Sequence, residues 1–184
     1  MKIPIIAAGH GAADSGAVSQ YGNERDQCIQ IVDAIRGILL AQKIPAIVTP
    51  HEDDTQESIA WINRYMANGK IHPSNFRAFE IHRDWGNVAG DDAKYRCGVI
   101  HGDSQTSMRM AETMHAAMMS AGAGKNSRII HHKYGTRHKS GIGFIKQPTC
   151  YSFILELGFV QAPWSVDLKN KLAEIAAAAI TTAL

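Results

Sequence analysis

Four side chains stand out for the chemistry their types and spacing allow. His10 lies between Gly9 and Gly11, directly after the apolar run from Ile3 to Ala8. Glycines on both sides let the backbone turn sharply and leave the imidazole exposed at the end of a strand. Glu24 opens a helical pattern shortly afterwards, and His82 closes a third apolar run. Two imidazoles and one carboxylate meeting at one edge of a sheet form the ligand set of a catalytic zinc site, with a further position left for water. Each residue alone also has an ordinary explanation. The chain has nine histidines, so two of them can end strands by chance. A glutamate in a first helical turn complements the helix dipole. Glu156 is harder to dismiss, because it interrupts Phe153-Ile154-Leu155-Glu156-Leu157, one of the most apolar stretches of the chain. An unpaired buried carboxylate is costly and must shift its pKa or find a partner. Glu156 is therefore either half of a buried ion pair or a general base beside a metal-activated water.

The elements that would position these groups follow from hydrophobic spacing. Residues 3–8, 46–49, 77–82, 98–100, 128–131 and 151–157 read as strands. Residues 24–43, 58–67, 106–121 and 166–183 read as helices, the first placing Ile31, Val32, Ile35, Ile38 and Leu39 on one face. Gly22-Asn23 serves as the N-cap signal of that helix. Strands separated by helices predict an α/β fold, a single domain with a twisted, largely parallel sheet flanked by helices on both faces. The polar, Gly-rich stretch 133–148 reads as a loop. In such sheets ligands gather outside the carboxyl ends of the strands. That rule points to the positions after Ala8, after Ile81 and at the end of strand 151–157.

Composition excludes several classes. The chain has 184 residues, enough for one domain with a real core, and its 45% apolar and 20% charged residues are those of an ordinary globular protein. A formal charge of +2 gives no electrostatic footprint for nucleic acid. The three cysteines, Cys28, Cys97 and Cys150, form no CxxC pair, which argues for packed thiols over a disulfide framework. The N-terminal apolar run is too short for a signal peptide and the C-terminal one too short to span a bilayer. The expectation is a monomer made in the cytoplasm without an export signal.

The opening segment Ala8-Gly9-His10-Gly11-Ala12-Ala13-Asp14-Ser15-Gly16-Ala17, followed by Gly22-Asn23-Glu24, resembles the signature of the zinc N-acetylmuramoyl-L-alanine amidases of the amidase-3 type. Ile81-His82 resembles their second histidine motif, and Leu155-Glu156-Leu157-Gly158-Phe159-Val160 their C-terminal motif. The blocks fall in the family's order and span nearly the whole chain. The resemblance implies that His10, Glu24 and His82 bind Zn2+ and that Glu156 is catalytic. It implies peptidoglycan as the partner, cut between the muramoyl lactyl group and L-alanine, while the chain's own pattern gives the expectation of no separate wall-binding module and no membrane insertion. Two departures stand out. Arg83-Asp84-Trp85-Gly86 replaces the usual small residue and Asn after the second histidine, and Gln161-Ala162 replaces the Asn that normally ends the last motif. Arg83 and His101 are the candidate substrate contacts. The short span between His82 and Gly98 leaves little room for a blocking helix, so the site is expected to be open by default. A phage endolysin, acting on the wall after holin-mediated release, fits these expectations.

Other features compete. His101-Gly102-Asp103-Ser104 resembles the nucleophile block of serine esterases, although Asp103 and Ser104 also explain themselves as N-caps of the helix at 106–121. A non-catalytic wall-binding module of the same fold is the other class. The methionines Met108, Met110, Met114, Met118 and Met119 read as core packing. His131-His132 and Arg137-His138-Lys139 read as a solvated polar loop or a groove for an anionic glycan, and His51 and His101, near strand ends, as reserve candidates for supporting the site ligands.

Overall fold

A computed structural model describes residues 2–69, 71–86, 94–133 and 142–184. The chain begins with strand β1, Ile3–Ala8, and a two-residue hairpin of β2, Val18–Ser19, and β3, Gly22–Asn23. Helix α1, Glu24–Ala41, β4, Ile47–Val48, and α2, Thr55–Asn68, follow. Then come β5, Phe76–Asp84, β6, Cys97–His101, α3, Gln105–Ser120, and β7, Arg128–His131. A short helix α4, Gly143–Lys146, precedes β8, Tyr151–Phe159, and α5, Val166–Thr182, closes the chain.

Six strands form one sheet in the order β4-β1-β5-β8-β6-β7. Side chains alternate across it, so successive residues of β1 face different layers. Ile6 and Ala8 join Phe79, Ile81, Leu155 and Leu157 in the core under α1, α3 and α5, whose inward residues include Ile31, Met114, Met118 and Leu172. Ile5 and Ala7 join Ala78 and Ile154 in the core under α2 and α4, against Ile59, Ile62 and Phe144. The sheet is thus covered on both faces, as expected. Cys28 and Cys97 are buried free thiols and Cys150 is half-buried, and burial pushes the Cys97 thiol up to about 12.

Three differences from the sequence reading have physical causes. The stretch read as a loop contains α4, because Phe144 is fully buried against α2 and β8. Residues 134–141 of that stretch, including Arg137, His138 and Lys139, lie outside the described residues, as do 87–93 between His82 and β6. Helix α2 begins earlier than its apolar spacing suggests, at a capping box in which Asp54 accepts from the Glu57 amide and Glu57 accepts from the Asp54 amide. Finally, within the largely parallel sheet that the sequence predicts, one pairing is antiparallel and moves two strand ends to the other edge. β6 runs antiparallel to β8, and β7 follows β6, so the ends of β6 and β7 lie at the opposite edge from the ends of β1, β5 and β8. No helix among the described residues is long and apolar enough to cross a membrane.

Candidate metal centre

The parallel pairing of β1 with β5 and of β5 with β8 brings three strand ends to one edge. Past Ala8 the chain turns so tightly that His10 adopts a positive φ of 67°. That conformation is uncommon for a non-glycine residue and is held here by its surroundings. Gly9 permits close approach, because a Cβ there would lie 2.4 Å from the His82 ring. The chain then loops through the β2–β3 hairpin, which Ser19 fastens to the end of β8 by donating to the Val160 carbonyl at 2.8 Å. Asn23 caps α1 by accepting from the Asp26 amide, and the first helical residue is Glu24. The buried Glu24 side chain reaches back over the strand ends.

There His10 Nε2 lies 3.1 Å from Glu24 Oε2, and His82 Nδ1 lies 3.0 Å from Glu24 Oε1. The two rings stand 5.0 Å apart and nearly perpendicular. The donor atoms of His10, Glu24 and His82 all fall within 4.8 Å of one another. Each glutamate oxygen is further fixed by a backbone amide, Ala17 on Oε2 and Arg83 on Oε1. The outward nitrogens are held as well: His10 Nδ1 meets Asp14 Oδ2 at 2.8 Å, and His82 Nε2 meets Glu80 Oε2 at 3.1 Å. A carboxylate behind each imidazole is placed to accept its outer N–H, which would leave the inner nitrogen for a metal, the arrangement metal-binding histidines require.

Electrostatics follow from this packing. Burial opposes the His10 imidazolium, but its bonds to Glu24 and Asp14 outweigh that and raise its pKa. Burial likewise opposes the His82 cation, and the Glu80 and Glu24 carboxylates push it well above the ordinary value. Burial would raise Glu24, yet the two histidines hold it well below the usual carboxylate range. Without a cation, the cluster stores protons where a divalent ion would supply the positive charge. The donor set therefore fits a metal, and its nitrogen and carboxylate donors with flanking carboxylates fit zinc.

Glu156 sits on β8 directly beside His82 in the parallel register. It is half-buried, and its burial between β5 and β6 pushes its carboxyl up to about 7, with Asp84, Glu24 and Glu80 adding to the rise against the lowering effect of His82. A small cavity beside it is lined by Asp84, Arg96, Cys97, Gly98, Arg128 and Ile130.

The two candidate substrate contacts lie elsewhere. Arg83 points into the core, 1% exposed, with Nη2 donating to the Phe159 carbonyl and the guanidinium 4.8 Å over the Trp164 ring. The alternation of β5 forces this, since Arg83 must face the layer opposite His82. His101 ends β6 at the far edge, its ring 5.4 Å from His131. There Asp103 contacts His131, His132 and Lys133 at 3.0, 3.2 and 2.8 Å. This second cluster is prepared differently from the first. The Lys133 amide donates to His131 Nδ1, so the neutral ring carries its proton on the nitrogen facing Asp103, and the Lys133 ammonium already neutralises that carboxylate. Ser104 uses its hydroxyl to cap α3, accepting from the Ser107 amide at 3.0 Å. His51 pairs with Asp33.

The sequence reading missed Asp14, Glu80, Arg96 and Arg128. Glu80 carried the same signal as Glu156, a carboxylate inside an apolar strand, and Asp14 is one helical turn's spacing from His10.

A family profile described as N-acetylmuramoyl-L-alanine amidase matches residues 5–184. No curated protein matches the chain. Among solved structures, the catalytic domain of CwlV, an N-acetylmuramoyl-L-alanine amidase from Bacillus (Paenibacillus) polymyxa var. colistinus, is 22% identical with a TM-score of 0.69, over 98% of this chain and 97% of that one. An N-acetylmuramoyl-L-alanine amidase from Clostridium difficile 630 gives 19% and 0.75, over 98% and 95%. The catalytic domain of an endolysin targeting Clostridia difficile gives 12% and 0.68, over 98% of each chain. At these identities the likeness is one of fold.

Proposed function

Since the chain belongs to the N-acetylmuramoyl-L-alanine amidase family, we propose that it hydrolyses the amide between the muramoyl lactyl group and L-alanine of peptidoglycan, with zinc held by His10, Glu24 and His82 and with Glu156 as general base. The observation that carries the reading is the pairing of a converging His-Glu-His donor set with a carboxyl of raised pKa on the adjacent strand. Bound zinc would supply Lewis acidity, activating water and polarising the amide carbonyl.

The chain's own groups do the rest. Asp14 and Glu80 orient the imidazoles, and Glu24 supplies the compensating charge. Glu156, poised at about 7, accepts a proton from the attacking water at neutral pH and returns it to the leaving nitrogen as the C–N bond breaks. Trp85, 56% exposed at the end of β5, offers an aromatic face beside this edge for the glycan or stem peptide. In place of Arg83 and His101, Arg96 and Arg128 are the basic side chains beside Glu156 that could meet the carboxylates of a stem peptide.

The test is digestion of purified peptidoglycan with and without a chelator, followed by zinc add-back, with new termini identified by mass spectrometry. Free L-alanine amino termini that vanish with chelator and return with zinc are expected. Cleavage at sugar or peptide bonds, or digestion indifferent to the chelator, overturns the proposal. The endolysin role is part of the same proposal: a monomer that accumulates inside a cell without harm and lyses it only once the membrane is permeabilised. Lysis during expression without permeabilisation contradicts that role while leaving the chemistry intact.

A further inference from the structure

The geometry points to Glu80 as a positioning residue for the metal centre, clamped by Thr55 so that His82 presents Nδ1 inward. The inference rests on the reading of His82 as a ligand and extends it to two residues outside the proposed ligand set.

Glu80 lies two residues before His82 on β5, so both side chains emerge on the same face. It is 1% exposed. A carboxylate buried to that degree needs its oxygens satisfied. Both are: Oε2 stands 3.1 Å from His82 Nε2, and Oε1 accepts the Thr55 hydroxyl at 2.9 Å. Thr55 is the first residue of α2, so the carboxylate also meets the helix end that favours negative charge. With one oxygen tied to α2, the carboxylate cannot swing away from the imidazole.

The clamp has a definite chemical consequence. With Glu80 accepting a hydrogen bond from Nε2–H, His82 gives up only the Nδ1 proton when a metal binds, and the freed Nδ1 lone pair then faces the side where Glu24 and His10 stand. Gly9 bounds the other freedom of the ring, since it lies close enough that any Cβ there would strike the imidazole. The ring is thus held in orientation by backbone contact and by a buried carboxylate on Nε2, which favours the tautomer a metal on Nδ1 requires. Asp14 does the corresponding work for His10, but from an exposed position. Glu80 is the clamp whose removal solvent cannot make good. Outer carboxylates of this kind contribute about 10–100-fold in metal affinity.

The experiment compares Glu80→Gln, Thr55→Val and Thr55→Ser with the unaltered chain. Zinc affinity is measured by competition with a chromophoric chelator, and the His82 tautomer by imidazole nitrogen NMR shifts of the zinc-loaded protein. Glu80→Gln is expected to weaken zinc binding at least about tenfold. Thr55→Val should weaken it in the same direction and Thr55→Ser should restore it. Turnover of Glu80→Gln measured across zinc concentrations should rise with zinc occupancy, which places the defect in metal binding. Circular dichroism checks folding, and Thr55→Val carries the test alone if Glu80→Gln does not fold. Zinc affinities and His82 shifts unchanged in both variants overturn the inference, as does lost turnover at unchanged zinc affinity. An unaltered chain that takes up no zinc overturns the metal reading itself, a distinguishable result.

Discussion

Replacing Glu156 with Gln should stabilise the metal-free protein above neutral pH while abolishing turnover. The magnitude follows from the environment of the carboxyl. Enclosure on β8 raises Glu156 from the ordinary 4.5 to about 7. Each tenfold change in proton affinity corresponds to about 1.4 kcal/mol, so ionising this group in the folded state costs about 3 kcal/mol more than in the unfolded chain. The folded pKa is raised, so the group's contribution is fully present below about 4.5 and is lost as pH rises through about 7. Glutamine has the same shape and no charge, and removes this loss. The two proteins should therefore melt together near pH 4.5, diverge between pH 5 and 7, and reach a plateau difference of about 3 kcal/mol near pH 8. For a chain of this length that is roughly 6–12 °C in Tm. The assay is thermal unfolding across pH of both proteins, exhaustively chelated, because a bound cation would itself stabilise the ionised carboxylate. Parallel melting curves from pH 4 to 8 would refute the reasoning, since they would mean that Glu156 titrates as an ordinary carboxyl.

Three further outcomes follow from the site. Because the pKa of His82 is raised well above the ordinary imidazole value and that of His10 is raised as well, zinc uptake at pH 7 should release protons. Titration calorimetry in buffers of different ionisation heat measures this, and heats independent of buffer would contradict it. Gly16→Ala should weaken zinc binding at least about tenfold with the fold retained, since φ is +63° and the added methyl would lie 2.6 Å from His10 Cδ2 and 2.8 Å from Glu24 Oε2. Unchanged affinity in a chelator competition would count against the cradle. Arg83→Lys should lower stability by about 1–3 kcal/mol, because an ammonium cannot both reach the Phe159 carbonyl and lie flat over Trp164. KM for muramoyl peptides should stay within about twofold, and a large rise would return Arg83 to the substrate site.

The proposed ligand triad is legible because each member breaks a local pattern at a strand end or helix start, and the layered α/β fold follows from apolar spacing that the structure reproduces in two alternating cores. Glu156 was legible as a charge inside an apolar strand. Glu80 gave that same signal, but its meaning depends on Thr55, 25 residues earlier, and on a β5 face that only pairing reveals. Arg83 and His101 were misplaced for two geometric reasons. Adjacency to His82 in sequence puts a residue on the opposite face of a strand, and β6 runs against β8, so a strand end near a motif is not at the same edge. The sequence carries no local mark of strand direction: β6 and β7 are joined by a helix and pair in parallel, and nothing within that unit shows that it runs against β8. Helix α4 escaped for a related reason: its one deeply buried residue, Phe144, sits in a polar, Gly-rich neighbourhood.

The central claim is that three side chains hold the metal and a fourth does the proton transfer. Zinc content and peptidoglycan turnover of Glu156→Ala and His10→Ala, measured side by side on the same preparations, separate these roles. The account predicts that Glu156→Ala retains one zinc per chain and loses turnover by about 100-fold or more, while His10→Ala loses both. A Glu156→Ala protein that still cleaves the muramoyl–L-alanine bond, or a His10→Ala protein that keeps its zinc, would contradict it.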